Sequence, residues 1–359
     1  MNIVRPDHPP FSEIARDFRD ILRSGSVTNN GKFVQDFEQA LTWHFDAPTI
    51  VFNNGQSALM AMLAALDVRG REVIVPSFTF CATPHAVRWA GGEPVFADID
   101  PTTLCIDPLH VSSLQRNSTA AVLAVDPYGI QCDVAPLSIT GLPVLIDSAP
   151  SFGSYPDRTR GDAQIFSFHA TKPFSTMEGG ALVTRDLDLL ERAKMIRNFG
   201  QDGGGDCEMP GINGKMMEVS ALIGLIQLKT WHDRSMKRKS HAADFGVALM
   251  GIPGVDVIST MSRQAPIWLY RPILINEDEF GMSRDAVVAE LAKREIYARV
   301  YYRPCHLLSC YRQADYRLPV TEKISSQVIA LPVYNDFKRS EIDHITQSLR
   351  AIQAGARKC

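Results

Sequence analysis

The segment FSFHATKPFSTMEGGALVT, from Phe166 to Thr184, contains two apolar runs joined by a loop that carries one lysine, Lys172. Each run has the length and the composition of a buried strand. Lysine is a residue that is almost never fully buried without a partner, so the end of a buried strand is an unusual place for it. Lys172 is therefore either an ordinary loop residue or an amine placed there to react.

Five similar runs precede this segment. Most of them are continuous apolar stretches rather than alternations of apolar and polar residues, which is typical of strands covered on both faces in a mostly parallel sheet. Helical patterns such as SALMAMLAAL at 57–66 lie between some of them. The sequence thus predicts an α/β domain with a mostly parallel seven-stranded sheet, whose first five strands are TIVFNN (49–54), REVIVPS (71–77), EPVFADI (93–99), AAVLAVDP (120–127) and PVLIDSA (143–149).

The pattern changes after the last of the seven strands. An amphipathic helix at 188–199 and a glycine-rich loop, GQDGGGD at 200–206, lead into a long helix at 218–249. Beyond Gly251, two short strands, WLYRPILI and YARVYYRP, flank a helix for which Ser283 is the expected N-cap. We predict an N-terminal arm at 1–30, a large domain at 31–245 and a smaller C-terminal α/β domain at 246–359.

Composition narrows the class of protein. The chain has 359 residues, of which 45% are hydrophobic and 21% charged, with a net charge of −3 and no long basic run, so a nucleic-acid partner is not expected. No apolar stretch is long enough to span a bilayer, and the first residues lack a signal-peptide core. Seven cysteines without a CxxC pair indicate free thiols in a reducing cytoplasm rather than disulfides or a zinc site.

Ligands of open α/β sheets bind outside the carboxyl ends of the strands, so unusual residues just after strands are candidates for a site. In NNGQSAL, Gly55 permits a tight turn, and Gln56 and Ser57 would offer free N–H groups to a phosphate at a helix N-terminus. A plain strand-to-helix turn is the alternative. In PSFTFCAT, Phe78 and Phe80 follow a strand, where an aromatic ring would either stack on a flat heterocycle or pack in the core.

Two ionisable residues follow neighbouring strands. Asp147 ends the strongly apolar run PVLID, and a buried carboxylate requires a positive partner, either an arginine or a protonated ring nitrogen. Lys172 at the mouth of an apolar cleft would have its neutral, nucleophilic form favoured, and the Ser167 hydroxyl could reach the same cleft. A phosphate cradle, a stacking ring, an acid and an amine together predict a site for pyridoxal 5′-phosphate (PLP).

The chain resembles the DegT/DnrJ/EryC1/StrS family of sugar aminotransferases, which have the type I PLP-dependent aminotransferase fold. The resemblance covers nearly the whole length and keeps the order of the family's motifs. It rests on SVTNNGKFVQDFEQAL (26–41), NNGQSALMAMLAAL (53–66), VIVPSFTFCATPHAV (73–87), PVFADIDPTTLCIDP (94–108), LIDSAPSFG (145–153), FSFHATKPFSTMEGGALVT (166–184), RNFG (197–200), GINGKMMEVSALIGLIQL (211–228) and YYRPCHLL (301–308).

The resemblance implies a role for each cofactor contact. Lys172 would hold PLP as a Schiff base and would shuttle the proton during transfer. Asp147 would pair with the pyridinium nitrogen, and Phe80 would lie against the ring. The phosphate would be bound by Gln56, Ser57 and Ser167.

The resemblance also implies a homodimer with shared active sites. Asn213, in GINGK, corresponds to an asparagine that such enzymes send to the phosphate of the neighbouring subunit, although the residues alone favour a turn position. Tyr301 and His306, in YYRPCHLL, correspond to positions near the substrate. Their alternative is packing, which is as common for a lone histidine and for paired tyrosines.

Two departures from the family pattern affect the site. Pro150 stands where the family usually has a glutamine near the cofactor, so another group or water is expected there. Gln56 replaces a common threonine, which removes a hydroxyl contact but leaves the backbone contacts. Related sugar dehydratases carry histidine instead of the lysine. His169 lies near this position, but Lys172 itself is kept, which favours transamination over dehydration.

The resemblance implies transfer of an amino group from L-glutamate to a keto sugar. The motif HATKPF (169–174) favours a nucleotide-linked 4-keto-6-deoxyhexose as the acceptor. The aminated product would be used in a surface polysaccharide or a glycosylated natural product. Two alternatives stay open. One is a PLP enzyme acting on a free cyclitol or on a 3-keto sugar, and competitive inhibition by nucleoside diphosphates would distinguish an enzyme with a nucleotide site from one that takes a free cyclitol. The other is a non-catalytic regulatory relative, against which Lys172 and Asp147 argue.

Overall fold

The computed structural model describes residues 1–154, 159–258, 266–312 and 315–357. Its centre is a seven-stranded sheet with the order β1-β7-β6-β5-β4-β2-β3. The strand β7 runs antiparallel to both of its neighbours, and the remaining pairs are parallel. All seven strands predicted from the sequence are confirmed: β1 (Thr49–Phe52), β2 (Glu72–Pro76), β3 (Glu93–Ala97), β4 (Thr119–Val125), β5 (Val144–Asp147), β6 (Ala163–Ser167) and β7 (Gly180–Thr184).

Helices cover both faces of this sheet, which explains why its strands are continuously apolar. Every residue of β1, β4, β5, β6 and β7 is buried. A short 3₁₀ turn, Pro127–Gly129, follows β4. The helices of this part are α1 (Phe11–Ser24), α2 (Lys32–Phe45), α3 (Gly55–Ala65), α4 (Ala82–Trp89), α5 (Pro108–Leu114), α6 (Ala135–Ser138), α7 (Leu187–Arg197) and α8 (Glu218–Leu249).

The C-terminal part contains a three-stranded antiparallel sheet with the order β10-β9-β8. Its elements are β8 (Val255–Val257), β9 (Arg271–Ile275), α9 (Glu277–Phe280), α10 (Arg284–Ala292), a 3₁₀ turn at Cys305–Leu307, α11 (Pro319–Gln327), β10 (Val328–Leu331) and α12 (Arg339–Ala356). The predicted N-cap of α10 is confirmed, because the Ser283 hydroxyl accepts a hydrogen bond from the N–H of Ala286 at 3.4 Å.

The two sheets share one apolar core. A single buried cluster joins Ile74 and Val122 of the large sheet to Ile273 and Ile329 of the small one. Helix α8 is one continuous element of 32 residues that passes through the predicted boundary at 245/246. The domain boundaries stay a prediction, since a shared core and an unbroken helix connect the two parts.

The first residues pack against the C-terminal part. Ile3 is buried, and the carbonyl of Met1 accepts a hydrogen bond from the N–H of Tyr297 at 2.9 Å. Arg5 forms an ion pair with Asp336 at 3.0 Å. No helix in the described ranges combines the length and the apolar character that crossing a membrane requires.

One predicted strand is wrong. The segment YARVYYRP (297–304) forms only an isolated bridge, in which Arg299 and Ala330 exchange two backbone hydrogen bonds of 3.0 and 2.8 Å. The pairing stops there because the chain leaves the edge of β10 and crosses towards the large sheet. Cys305, just beyond the segment, donates its N–H to the carbonyl of Ser77 at 2.9 Å. Alternating side chains alone did not reveal this crossing.

Candidate active site

A cavity of about 660 Å³ opens at the carboxyl ends of β4, β5 and β6 and is closed on its far side by the C-terminal part. This is the position at which open α/β sheets bind ligands. Most of the site residues predicted from the sequence line it, namely Gly55, Gln56, Ser57, Phe80, Asp147, Ser167, Lys172 and Tyr301. Asn213 and His306 do not.

Asp147 is the last residue of β5 and is only 5% exposed. Its Oδ2 accepts a hydrogen bond from the Thr83 hydroxyl at 2.7 Å, and its Oδ1 accepts one from the Ala149 N–H at 3.1 Å. Burial raises the pKa of Asp147, while these two bonds and the charge of Lys172 oppose the rise. No cationic side chain lies within ion-pair distance of Asp147 in the described part of the chain, so a cation in the cavity would complete its environment.

Lys172 lies in a tight loop between β6 and β7. The backbone N–H of Lys172 donates a hydrogen bond to the carbonyl of His169 at 2.8 Å. The N–H of Thr176 donates one to the carbonyl of Phe168 at 2.9 Å. The residue is half-buried because it faces the cavity. Desolvation by the surrounding protein lowers its pKa from 10.5 to about 8, although the charge of Asp147 opposes the change. A much larger fraction of this amine is neutral near pH 7 than of an ordinary lysine, which makes it a nucleophile.

The N-terminus of α3 forms the third wall of the cavity. The Asn54 side chain caps this helix by accepting the Ser57 N–H at 2.8 Å. The prediction of a free N–H at Ser57 is therefore wrong, because the preceding asparagine satisfies it. The N–H groups of Gly55 and Gln56 have no partner among the described residues, and they give the cavity an anion-binding edge.

Gly55 and Ser167 approach each other closely at this edge. A Cβ atom added to Gly55 would lie 2.9 Å from the Ser167 Cβ, which is closer than side chains tolerate. Glycine is therefore required at this position by space rather than by its backbone angles. The contact brings the Ser167 hydroxyl, at the end of β6, next to the unpaired N–H groups of α3.

The structure separates the two phenylalanines whose roles the sequence left open. Phe78 is 1% exposed and packs edge-on against Tyr302 with ring centroids 5.4 Å apart. Phe80 is 54% exposed and lines the cavity. Phe78 is therefore a core residue, and Phe80 is the ring available for stacking on a ligand.

Several wall residues were not identified from the sequence. Tyr270 is one of them, and it joins the tyrosine pair Tyr301 and Tyr302 in an aromatic cluster, with centroids 5.8 Å apart for Tyr270–Tyr301 and 5.4 Å apart for Tyr301–Tyr302. Thr83, the donor to Asp147, also went unnoticed, and so did Arg299. Only the tyrosine pair in YYRP gave a signal, because the other residues reach the cavity through tertiary packing.

His306 and Asn213 lie elsewhere. The His306 ring is buried, with Nδ1 2.6 Å from the Ser77 hydroxyl and Nε2 3.4 Å from Glu322. This placement favours the structural alternative for His306. Asn213 is exposed, and its carbonyl accepts a hydrogen bond from the Asn53 side chain at 3.1 Å. Within one chain, Asn213 does not reach the cavity.

Pro150 lines the cavity, and its hydrocarbon ring offers no hydrogen-bond donor there. The serines on either side do not replace the missing polar group. The Ser148 and Ser151 hydroxyls turn away and donate to the buried Asp126 carboxylate at 2.9 and 2.7 Å. On another wall of the cavity, His169 and Glu178 form a pair, with Nε2 and Oε1 3.4 Å apart.

Comparisons with known proteins agree with this geometry. The chain is 33% identical to dTDP-4-amino-4,6-dideoxy-D-glucose transaminase of Shigella dysenteriae, over 98% of both chains. It superposes on the crystal structure of DesI in the presence of its TDP-sugar product with a TM-score of 0.94 and 32% identity, covering 100% of this chain and 94% of DesI. PseC, an aminotransferase of Helicobacter pylori involved in pseudaminic acid biosynthesis, gives a TM-score of 0.90 and 27% identity over 99% of both chains.

The match to a family extends over the same length. A sequence model of the DegT/DnrJ/EryC1/StrS aminotransferase family matches residues 11–350, which include both sheets and all the predicted cofactor contacts. The expected α/β fold with a mostly parallel seven-stranded sheet is confirmed by the strand order. The chain belongs to the DegT/DnrJ/EryC1/StrS aminotransferase family.

Proposed function

We propose that this chain is a PLP-dependent aminotransferase that moves an amino group from L-glutamate to a nucleotide-linked 4-keto-6-deoxyhexose. The observation that carries the proposal is the pairing of Lys172 and Asp147 in one cavity, each without an ion-pair partner among the described residues. The relatives from Shigella dysenteriae and Escherichia coli named dTDP-4-amino-4,6-dideoxy-D-glucose transaminase support the choice of acceptor.

The walls of the cavity fit PLP at three points. The unpaired N–H groups of Gly55 and Gln56, with the Ser167 hydroxyl, suit a phosphate. Asp147 suits a protonated ring nitrogen, because it is buried and has no ion-pair partner among the described residues. The Lys172 amine is available for a covalent bond. When bound, PLP accepts the electron pair released at the reacting carbon and carries the amino group between the two substrates.

Lys172 has two tasks in this proposal. It holds the cofactor through Nζ, and it moves a proton at the reacting carbon. Both tasks require an amine that loses its proton near neutral pH, and the lowered pKa of about 8 meets this requirement. The tight hydrogen-bonded loop keeps the amine at a fixed place relative to the end of β6.

Asp147 keeps the ring nitrogen protonated. Its carboxylate is held by the Thr83 hydroxyl and the Ala149 N–H, which fix its orientation and oppose the rise of its pKa caused by burial. Thr83 is thus a positioning residue for Asp147. Phe80 and the tyrosine cluster form aromatic walls of the cavity beside these groups.

We further propose a homodimer in which the Asn213 side chain of a second copy enters the site. Support comes from the exposure of Asn213 and from its position outside the cavity of its own chain. The proposed compartment is the cytoplasm. This agrees with the thiols, because all six cysteines that the structure describes are free.

The first experiment follows the visible absorption of the purified protein with PLP before and after addition of L-glutamate. We expect a band near that of a lysine-bound cofactor, and glutamate should remove it. Lys172→Ala should abolish the band, and the control Lys229→Ala, on the exposed side of α8, should leave it intact. If PLP is supplied and the wild-type protein develops no band, the cofactor proposal fails.

The second experiment identifies the acceptor. Protein converted by L-glutamate is mixed with a dTDP-linked 4-keto-6-deoxyhexose or with a free cyclitol ketone, and the products are measured by mass spectrometry. Amination of the nucleotide sugar alone supports the proposal. Amination of the cyclitol alone would show that the acceptor is a free cyclitol, and the proposed cofactor chemistry would still stand.

A further inference from the structure

Arg299 is a cation in the cavity, and no acidic partner for it lies in the described ranges of the chain. Its side chain lines the cavity and the residue is exposed. Many arginines of this chain form ion pairs, among them Arg5, Arg160 and Arg197. Arg299 forms none within the described part of the chain. Its charge is therefore available to a ligand.

The position of Arg299 is fixed by its backbone and by one neighbour. Two backbone hydrogen bonds tie the residue to Ala330 at the end of β10. One guanidinium nitrogen donates to the Tyr301 hydroxyl, and the guanidinium carbon lies 5.4 Å from the centre of that ring. The other guanidinium donors have no partner among the described residues, so the group is oriented and still has free N–H groups.

The two acidic residues that line the cavity have neighbours other than Arg299. Asp147 accepts bonds from Thr83 and Ala149 and faces Lys172. The Glu178 carboxylate lies 3.4 Å from the His169 ring. A free arginine in a cleft whose acids have other neighbours matches an anionic ligand rather than a structural ion pair.

We propose that Arg299 binds the diphosphate of the nucleotide-linked sugar. The inference rests on the proposed function and adds the group that recognises the substrate's charge. Arginine suits a diphosphate because its planar fork can donate two parallel hydrogen bonds to phosphate oxygens. The donor carboxylate is directly bonded to the reacting carbon, whereas the diphosphate is separated from it by the sugar ring. Arg299 is exposed whereas Lys172 is half-buried, which fits a place for Arg299 on the diphosphate side of the cavity.

The test uses the holoenzyme and thymidine diphosphate as the probe in calorimetric titrations. Arg299→Gln keeps hydrogen-bonding ability but removes the charge, and we expect it to raise the Kd by about tenfold or more. Arg299→Lys should give an intermediate Kd because it keeps the charge and loses the fork. The control Arg303→Gln removes a nearby exposed arginine that does not line the cavity, and its Kd should stay within about twofold of wild type.

Kinetics separate the diphosphate from the donor carboxylate. In Arg299→Gln the KM for the nucleotide sugar should rise with little change in kcat, and the rate at which L-glutamate changes the cofactor spectrum should stay at the wild-type value. The proposal is overturned if the Kd for thymidine diphosphate is unchanged, or if only the reaction with glutamate slows.

A third outcome also overturns it. If the wild-type holoenzyme responds to glutamate but does not bind thymidine diphosphate, the diphosphate assignment is wrong while the aminotransferase proposal stands. Failure of the proposed function looks different, because the wild-type protein would then show no glutamate-dependent change in its spectrum at all.

Discussion

Replacing Lys172 by methionine should stabilise the cofactor-free protein. Methionine has a similar length and no charge, so it keeps the packing and removes the cost of holding an ammonium group in a desolvated site. The pKa of Lys172 is lowered from 10.5 to about 8. The difference of about 2.5 corresponds to about 3 kcal/mol by which the folded protein disfavours the charged form.

The sign of the pH dependence follows from proton binding. Below pH 8 the lysine is charged in both the folded and the unfolded state, so its full cost is present. Between pH 8 and 10.5 the unfolded chain binds more protons than the folded one, and the stability of the wild-type protein relative to the variant rises with pH. Above pH 10.5 the lysine is neutral in both states, so the wild-type protein and the variant should have nearly equal free energies of unfolding.

The assay is urea unfolding of cofactor-free wild-type and Lys172→Met proteins at pH 7, 8.5 and 10. We expect the variant to have the larger free energy of unfolding at pH 7, by about 2–3 kcal/mol, and this advantage should shrink at each higher pH. Lys229→Met, on an exposed helix face, should leave the free energy unchanged within about 0.5 kcal/mol. Equal free energies of unfolding for the two proteins at pH 7 would refute the assignment of a desolvated ammonium group. A difference between them that does not change with pH would refute it as well.

Three other predictions concern the walls of the site. Thr83→Val removes the hydroxyl bonded to Asp147 at 2.7 Å, so the pKa of that carboxyl should rise further and the acidic limb of the pH profile of kcat/KM should move up by about one pH unit; an unmoved limb contradicts the positioning role. Asn54→Ala should cost about 1 kcal/mol of stability and also weaken PLP binding in equilibrium dialysis, whereas the remote cap variant Ser283→Ala should show only a stability cost. Asn213→Ala should weaken PLP binding in the proposed dimer, and an affinity equal to that of wild type would remove the partner's asparagine from the site.

The sequence predicted the sheet well because each strand is a continuous apolar run, and such a run has few alternatives to a buried strand. It also predicted that Lys172 and Asp147 share a site, since parallel strands bring their carboxyl ends to one edge. These predictions depend on local composition and on one rule of topology. They required no knowledge of how the C-terminal part packs.

The predictions that failed depend on details of packing. Ser57 lost its free N–H because the side chain of its neighbour Asn54 turns back to cap the helix. The segment around Tyr301 is not a strand because it crosses between the two sheets after one bridge. Arg299 lies at that bridge and lines the cavity, and no motif in the sequence marked it as part of the site.

The reversed direction of β7 has a consequence for how such a site can diversify. Because β6 and β7 are antiparallel neighbours, with Ser167 opposite Gly180, the lysine loop connects two adjacent strands directly and needs no helical crossover. An insertion before Lys172 would move the amine away from Asp147 or shift the pairing between β6 and β7. The position of the reacting amine is thus set by the large sheet, whereas walls such as Tyr301 and Arg299 come from the C-terminal part of the chain, where a substitution changes the cavity without changing the pairing of β6 and β7.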